Sequence, residues 1–217
     1  MSNSDSFIDE VTEEVRRDRL FGLMRRYGWI AVTLIVVLVG GAAYLEWQKA
    51  RETARAQAFG DAVMAALREP DATARREALD SLGSDSAQRA VAALLAAGEV
   101  ADAAERTSAA AALDAVAADD SLPQVYRDLA VLKSVMVQGE AIAPADRIAR
   151  LEPLTIPGAP FRLLALEQTA LARVAAGETG QAIAQAQDIL GQDGVTPDLR
   201  SRLQQLIVAL GGSVEQA

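Results

Sequence analysis

The sequence predicts an all-α protein: an N-terminal single transmembrane helix followed by an α-solenoid of helical hairpins. Three observations carry this. Residues 29–45 read Trp-Ile-Ala-Val-Thr-Leu-Ile-Val-Val-Leu-Val-Gly-Gly-Ala-Ala-Tyr-Leu, with no charge among them. The chain beyond is rich in alanine, and aromatic residues make up only 4% of the whole, a composition that favours helix over strand. Gly-Glu recurs at Gly98, Gly139 and Gly177, at separations of 41 and 38 residues, each time between two stretches with helical apolar spacing.

The elements follow in chain order. Residues 1–26 form an N-terminal segment in which Phe7, Val11 and Val15 repeat at four, followed by Leu20, Leu23 and Met24. That spacing predicts an amphipathic helix, which either lies on the cytoplasmic membrane surface, docks on a partner, or extends the anchor as a solvated helix.

Residues 27–47 form the membrane span. Taken from Tyr27 to Trp47 the run has 21 residues, about 31 Å at 1.5 Å per residue. Tyr27 and Trp29 mark one end, Tyr44 and Trp47 the other, in the manner of interfacial aromatic belts. A buried helix of a soluble domain would leave those belts and the flanking charges without a cause. A cleaved signal peptide could use Gly41 and Ala43 as small residues. The segment ahead of the run is long for that, and it carries Asp5, Asp9, Glu10, Glu13, Glu14 and Asp18. An uncleaved signal anchor is the reading adopted. Arg16, Arg17, Arg19, Arg25 and Arg26 precede the span, and Lys49, Arg51 and Arg55 follow it, which predicts a cytoplasmic N-terminus and an exported C-terminal part. Gly40-Gly41-Ala42-Ala43 could allow close helix approach, but no full GxxxG is present and plain lipid exposure is preferred.

Residues 48–84 are a helical connector: helix from Lys49 to Leu67, a break at Pro70, a shorter helix from Asp71 to Leu82, and a stop at Gly83. Residues 85–217 hold the repeat. The helices after the three Gly-Glu pairs are expected at about 100–118, 144–152 and 179–190, with prolines closing the units at Pro123, at Pro157 and Pro160, and at Pro197. Glycine suits a left-handed helix end and proline a helix start. A two-helix unit recurring every 34–45 residues is the pattern of an α-solenoid. A last helix from Pro197 to Leu210, capped by Thr196 and ended by Gly211, covers the open end.

Composition narrows the chemistry. The chain has no Cys and no His, which removes disulfides, Cys/His zinc sites, the Ser-His-Asp triad and the Cys-His pair. After residue 45 there are 24 acidic and 16 basic residues, and a net charge of −8 argues against nucleic acid as a partner. No nucleophile–base pair, phosphate loop or metal-ligand spacing is visible. Glu99, Glu140 and Glu178 occupy corresponding turns, where an early-helix carboxylate meets the helix dipole favourably. The sequence therefore names no catalytic, metal or cofactor residue and no small-molecule substrate; only a carboxylate-only site stays open.

Two stretches carry a resemblance. Gly194-Val195-Thr196-Pro197-Asp198-Leu199 follows the Ala-Gly-Glu hairpin at residues 176–190, and residues 6–29 run from Ser-Phe-Ile-Asp-Glu-Val to Arg-Arg-Tyr-Gly-Trp. With the anchor between them, the chain resembles the family of ancillary SecYEG translocon subunits, over nearly its whole length. The central unit departs from a regular tetratricopeptide pattern, being short and proline-rich around Pro153, Pro157 and Pro160. The resemblance implies a TPR-like domain, related to that of the cell-division coordinator, held at the periplasmic face of the bacterial inner membrane. It implies as partners the Sec translocon, a membrane-anchored periplasmic chaperone of the prolyl-isomerase type, and nascent exported proteins. It supplies no catalytic residues. Tyr126, Leu129, Phe161 and Leu164 are candidate groove residues, the alternative for each being hairpin core. The competing function is an accessory subunit of another envelope complex, in cell division or respiration.

Overall fold

A computed structural model describes the backbone of residues 3–100 and 102–213, and within that range the side chains from Arg25 onward, Ala31 excepted. The amphipathic pattern expected at Phe7, Val11, Val15, Leu20, Leu23 and Met24 lies outside the described side chains. Among the described residues there are nine α-helices and no strand. They are α1 (Asn3–Ala66), α2 (Ala72–Asp80), α3 (Ser86–Ala96), α4 (Ala103–Ala117), α5 (Gln124–Gln138), α6 (Pro144–Leu151), α7 (Arg162–Ala175), α8 (Thr179–Leu190) and α9 (Pro197–Ala209). Short 3-10 turns at Gly139–Ala141 and Glu152–Leu154 flank α6.

The chain divides into two units, Met1–Ala58 and Phe59–Ala217. Among the described residues the first is helix only. Its apolar stretch has no burial: Val32 and Leu34 through Val39 are each more than half exposed. Consecutive apolar residues point to every side of a helix, so no polar face is left for water.

In the second unit, local sequence sets the helix starts. Asp71, Asp85 and Asp102 lie in extended backbone ahead of α2, α3 and α4 and accept from the amides of Ala74, Gln88 and Glu105. Thr196 does the same for Leu199 ahead of α9. Each satisfies an amide that the first turn leaves without an intrahelical partner. Pro144 and Pro197 occupy first-turn positions, where their missing N–H goes unneeded. The helix expected from residue 100 begins instead at Ala103, because Asp102 holds the cap.

Apolar burial is passed along the chain in four small clusters. The last turn of α1 with α2 and α3 buries Ala66, Leu79 and Ala96. Next come Leu94, Leu113, Leu122 and Ala130 of α3 to α5, then Leu132, Leu151, Leu154 and Ala165 of α5 to α7. Ile189, Leu199, Leu203 and Ile207 close the series at α8 and α9. Half of the buried apolar residues are alanine, so helices approach closely but each contributes little area.

Polar ties supplement these cores. Ser134, fully buried on α5, donates to Asp114 of α4 at 2.7 Å, and Arg150 of α6 reaches both. Arg202 of α9 grips Glu167 of α7 with two bonds, at 2.6 and 2.8 Å, and that pairing raises the Arg202 pKa. Arg75 of α2 binds Glu99 at 2.7 and 2.8 Å and the Glu69 carbonyl at 2.8 Å. Lys133 of α5 donates to the Leu94 carbonyl near the end of α3, and burial lowers its pKa.

The three Gly-Glu turns are not alike. Gly177 has φ +79; its amide bonds to the Val174 carbonyl and the Glu178 amide to the Arg173 carbonyl, the double bond of a left-handed helix end. Gly139 has φ +48 with ψ −121, which leads into the 3-10 turn instead. Gly98 is not in the positive-φ region: its amide bonds to Leu95, that of Glu99 to Ala96, and the chain winds on right-handed. The left-handed expectation therefore fails at Gly98, where consecutive i−3 bonds satisfy the terminal carbonyls without a reversal of hand.

Candidate functional site

Two regions offer function, one in each unit. The first is the apolar stretch of α1. Within Arg25–Ala66 it is long and apolar enough to cross a membrane, with a peak mean hydropathy of 2.1. Thr33 donates to the Trp29 carbonyl at 2.8 Å, so the hydroxyl within the stretch needs no water. All four belt residues are exposed: Tyr27 51%, Trp29 66%, Tyr44 61% and Trp47 52%. At one end the Arg26 guanidinium lies 5.9 Å from the Tyr27 ring centre. At the other, Tyr44 and Trp47 are 6.1 Å apart, and Arg51 sits 4.1 Å over Trp47. Twenty residues of helix separate Tyr27 from Trp47, about 30 Å, the thickness of a bilayer's hydrocarbon. Each end thus combines an aromatic ring with a guanidinium, a pairing suited to the headgroup level.

The second region is an open trough of about 940 Å³ in the second unit. α7 is its floor, with Leu166, Thr169 and Arg173 one above another. α6 forms one wall with Ala145, Ile148, Ala149 and Glu152, and α8 the other with Gln181, Ala184, Gln185 and Asp188. Every wall residue falls at i, i+3, i+4 or i+7, two turns of one helix face. α6 and α8 pack on α7 rather than on each other, which leaves the trough open. Two bonds align α7 antiparallel to α8: Arg173 to the Gln181 side chain at 2.6 Å, and Gln185 to the Leu166 carbonyl at 2.8 Å.

A smaller groove of about 290 Å³ lies over α3 and α4, lined by Ala90, Ala93, Ala112 and Ala115, with Arg89 and Asp119 also lining it. The Ser121 hydroxyl and amide hold the Asp119 carboxyl below its ordinary value. Among the described residues no group of three or more His, Cys, Asp or Glu side chains is placed to hold a metal.

The four residues named from sequence for a groove are not brought together. Tyr126 and Leu129 pack on the α3–α5 cluster, and Phe161 packs on the α5–α7 cluster. Leu164 is 38% exposed. None lines the trough or the smaller groove. The trough's own residues carried a signal, the heptad-like spacing on three successive helices, but small and polar side chains at that spacing read as solvated faces.

The chain matches no family model, no curated protein and no solved structure.

Proposed function

We propose that the protein is a non-catalytic scaffold of the bacterial inner membrane, an ancillary subunit of the Sec export channel. Its anchor crosses the membrane once with the N-terminus cytoplasmic. Its periplasmic domain, a TPR-like solenoid of hairpins, receives a prolyl-isomerase-type chaperone or emerging exported chains. The observation that carries the scaffold reading is the pairing in one chain of a helix apolar on all sides, belted at both ends, with a helical domain open along one trough. The export channel as the particular assembly is supported by the resemblance of residues 6–29 and 176–199 to ancillary translocon subunits. Arg16, Arg17, Arg19, Arg25 and Arg26 ahead of the span, against Lys49, Arg51 and Arg55 after it, support the orientation.

In-cell photo-crosslinking of the full chain tests this. A photoreactive residue at Val37 in the anchor is expected to capture the export channel. Capture of division or respiratory proteins from that position, without channel, overturns the assignment in favour of another envelope complex.

A further inference from the structure

The trough has two unlike ends. Arg162 donates to the Thr155 carbonyl at 3.0 Å, which closes the turn between the C-terminal end of α6 and the start of α7. With α8 antiparallel to α7, Glu152 and Asp188 fall at one end of the trough and Arg173 at the other. Seven residues separate Gln181 from Asp188 along α8, about 10 Å.

Both carboxylates stand where their own helices disfavour them. Glu152 is the C-cap of α6, and Asp188 is in the last turn of α8. The negative ends of two helix dipoles thus reinforce two negative side chains. Among the described residues neither carboxylate is in an ion pair. The cation at that end, Arg162, is turned to the Thr155 carbonyl and the Gln192 side chain. At the far end Arg173 keeps one bond, to Gln181, and its Nε is buried without a partner. The trough is therefore acidic at one end, basic at the other and aliphatic between, through Ile148, Ala149 and Leu166.

The geometry points to this trough as the docking site of two turns of an amphipathic helix from a partner protein, with a Lys or Arg against Glu152 and Asp188. The walls offer no free backbone edge, since α6, α7 and α8 have spent their amides internally, so strand addition is closed to an occupant. The helix-in-groove mode fits, its i, i+3, i+4 and i+7 anchors meeting rows of the same spacing on both walls. Rows at i, i+3, i+4 and i+7 in which Ala145, Ala149 and Ala184 leave shallow gaps accept the ridges of another helix. The charge pattern fixes its direction: basic end toward Glu152 and Asp188, acidic or polar end toward Arg173. This rests on the scaffold reading and names the chemistry of its partner.

The test uses the full chain in lipid nanodiscs with a photoreactive residue at Ala149. Two synthetic helical peptides share one apolar face; one carries two lysines at one end, its twin two glutamates. The lysine peptide is expected to give about tenfold more adduct, the size that two rim ion pairs supply, and added salt is expected to shrink the difference. Glu152→Lys with Asp188→Lys is expected to reverse the preference. Should that variant lose helix content, Glu152→Gln with Asp188→Asn is expected to abolish the preference instead. Equal capture of both peptides, capture of neither, or a preference that the substitutions do not move overturns the assignment. The channel captured from Val37 in cells does not depend on the trough, so the two readings fail separately.

Discussion

Alanine in place of glycine at three helix ends separates backbone hand from packing. At Gly177 φ is +79, and a new β-carbon would meet nothing within 4 Å. The cost there is conformational only, about 1–2 kcal/mol for a side chain in left-handed backbone. Restricting the unfolded chain returns about 0.4–1 kcal/mol, so Gly177→Ala is expected to lose about 1 kcal/mol net. At Gly98 the backbone is not left-handed, and the new methyl meets only the Leu95 carbonyl oxygen, at 3.3 Å. A small shift relieves that contact, the unfolded-state gain offsets it, and Gly98→Ala is expected to be near neutral. At Gly83 φ is +103 and the β-carbon would lie 2.7 Å from the Arg89 backbone nitrogen. Backbone cannot swing aside as a side chain can, so Gly83→Ala adds a steric penalty to the strain and is expected to exceed about 2 kcal/mol. The assay is urea unfolding of the full chain in detergent, followed by far-UV circular dichroism, with midpoints compared at equal slope. In thermal melts, about 1 kcal/mol corresponds to about 2–4 °C for a unit of this size. A Gly98→Ala loss equal to that of Gly177→Ala would refute the assignment of hand at the two turns. A Gly83→Ala loss no larger than that of Gly177→Ala would refute the close approach to Arg89.

The remaining predictions concern core and charge. Leu203 is fully buried, so Leu203→Ala is expected to lose about 3 kcal/mol in the same assay, whereas Val208→Ala, at a site 63% exposed, stays within about 0.5 kcal/mol. Arg202→Met strands the buried Glu167 carboxylate; because the Arg202 side chain is 49% exposed, the expected loss is about 2 kcal/mol, below that of a fully buried pair, and adding Glu167→Leu recovers most of it. Lys133 has a folded-state pKa below its ordinary 10.5, so the unfolded chain holds its proton more tightly. Its destabilising contribution is complete below the lowered pKa and fades as pH rises toward 10.5. Stability measured relative to Lys133→Met should therefore improve across that alkaline window, and a flat difference would refute it. Asp119, with a pKa below 3.8, behaves in the opposite sense: its contribution is present above pH 3.8 and is lost as pH falls through the lowered value, so Asp119→Asn should flatten the acid limb.

How much of the fold and of the trough was legible in the sequence depended on how local its cause was. The uncharged run is contiguous in sequence, and the break at Pro70, the cap at Thr196 and the stop at Gly211 each arise from residues within one turn; the structure places all of them there. The Asp caps at 71, 85 and 102 are equally local, but aspartate is common throughout this acidic chain and marks a boundary less sharply than glycine or proline does. The Gly-Glu repeat misled about conformation because one dipeptide serves three backbones. The next element along the chain decides which is adopted: a Schellman pair before α8, a 3-10 turn before α6, a right-handed exit before Asp102. Large apolar side chains such as Tyr126 and Phe161 pack, partly buried, against the alanine-containing cores, and the trough is lined by smaller and polar ones instead.

The same scarcity of large side chains gives the trough its character. Where alanine dominates a core, polar ties supply much of what fixes one helix against another, and their distribution is uneven. Arg150 joins α6 to α4 and α5. Glu167 and Arg202 join α7 to α9, and Arg173 and Gln185 join α7 to α8. Among the described residues no side-chain hydrogen bond or ion pair joins α6 to α7 or α8. The two walls of the trough thus belong to separately tied groups of helices, joined at one end by the Arg162 bond to the Thr155 carbonyl and otherwise by the apolar contacts of Leu151, Leu154 and Ala165. Apolar contacts are non-directional and let the α6 wall adjust its separation from α8 more readily than a bidentate ion pair would. A helix seated between Glu152 and Asp188 would add a directional link between the walls to the Arg162 bond that closes that end, so occupancy should stiffen this part of the domain. Slower amide exchange in α6 on adding the lysine peptide, with α9 unchanged, is the signature of that coupling.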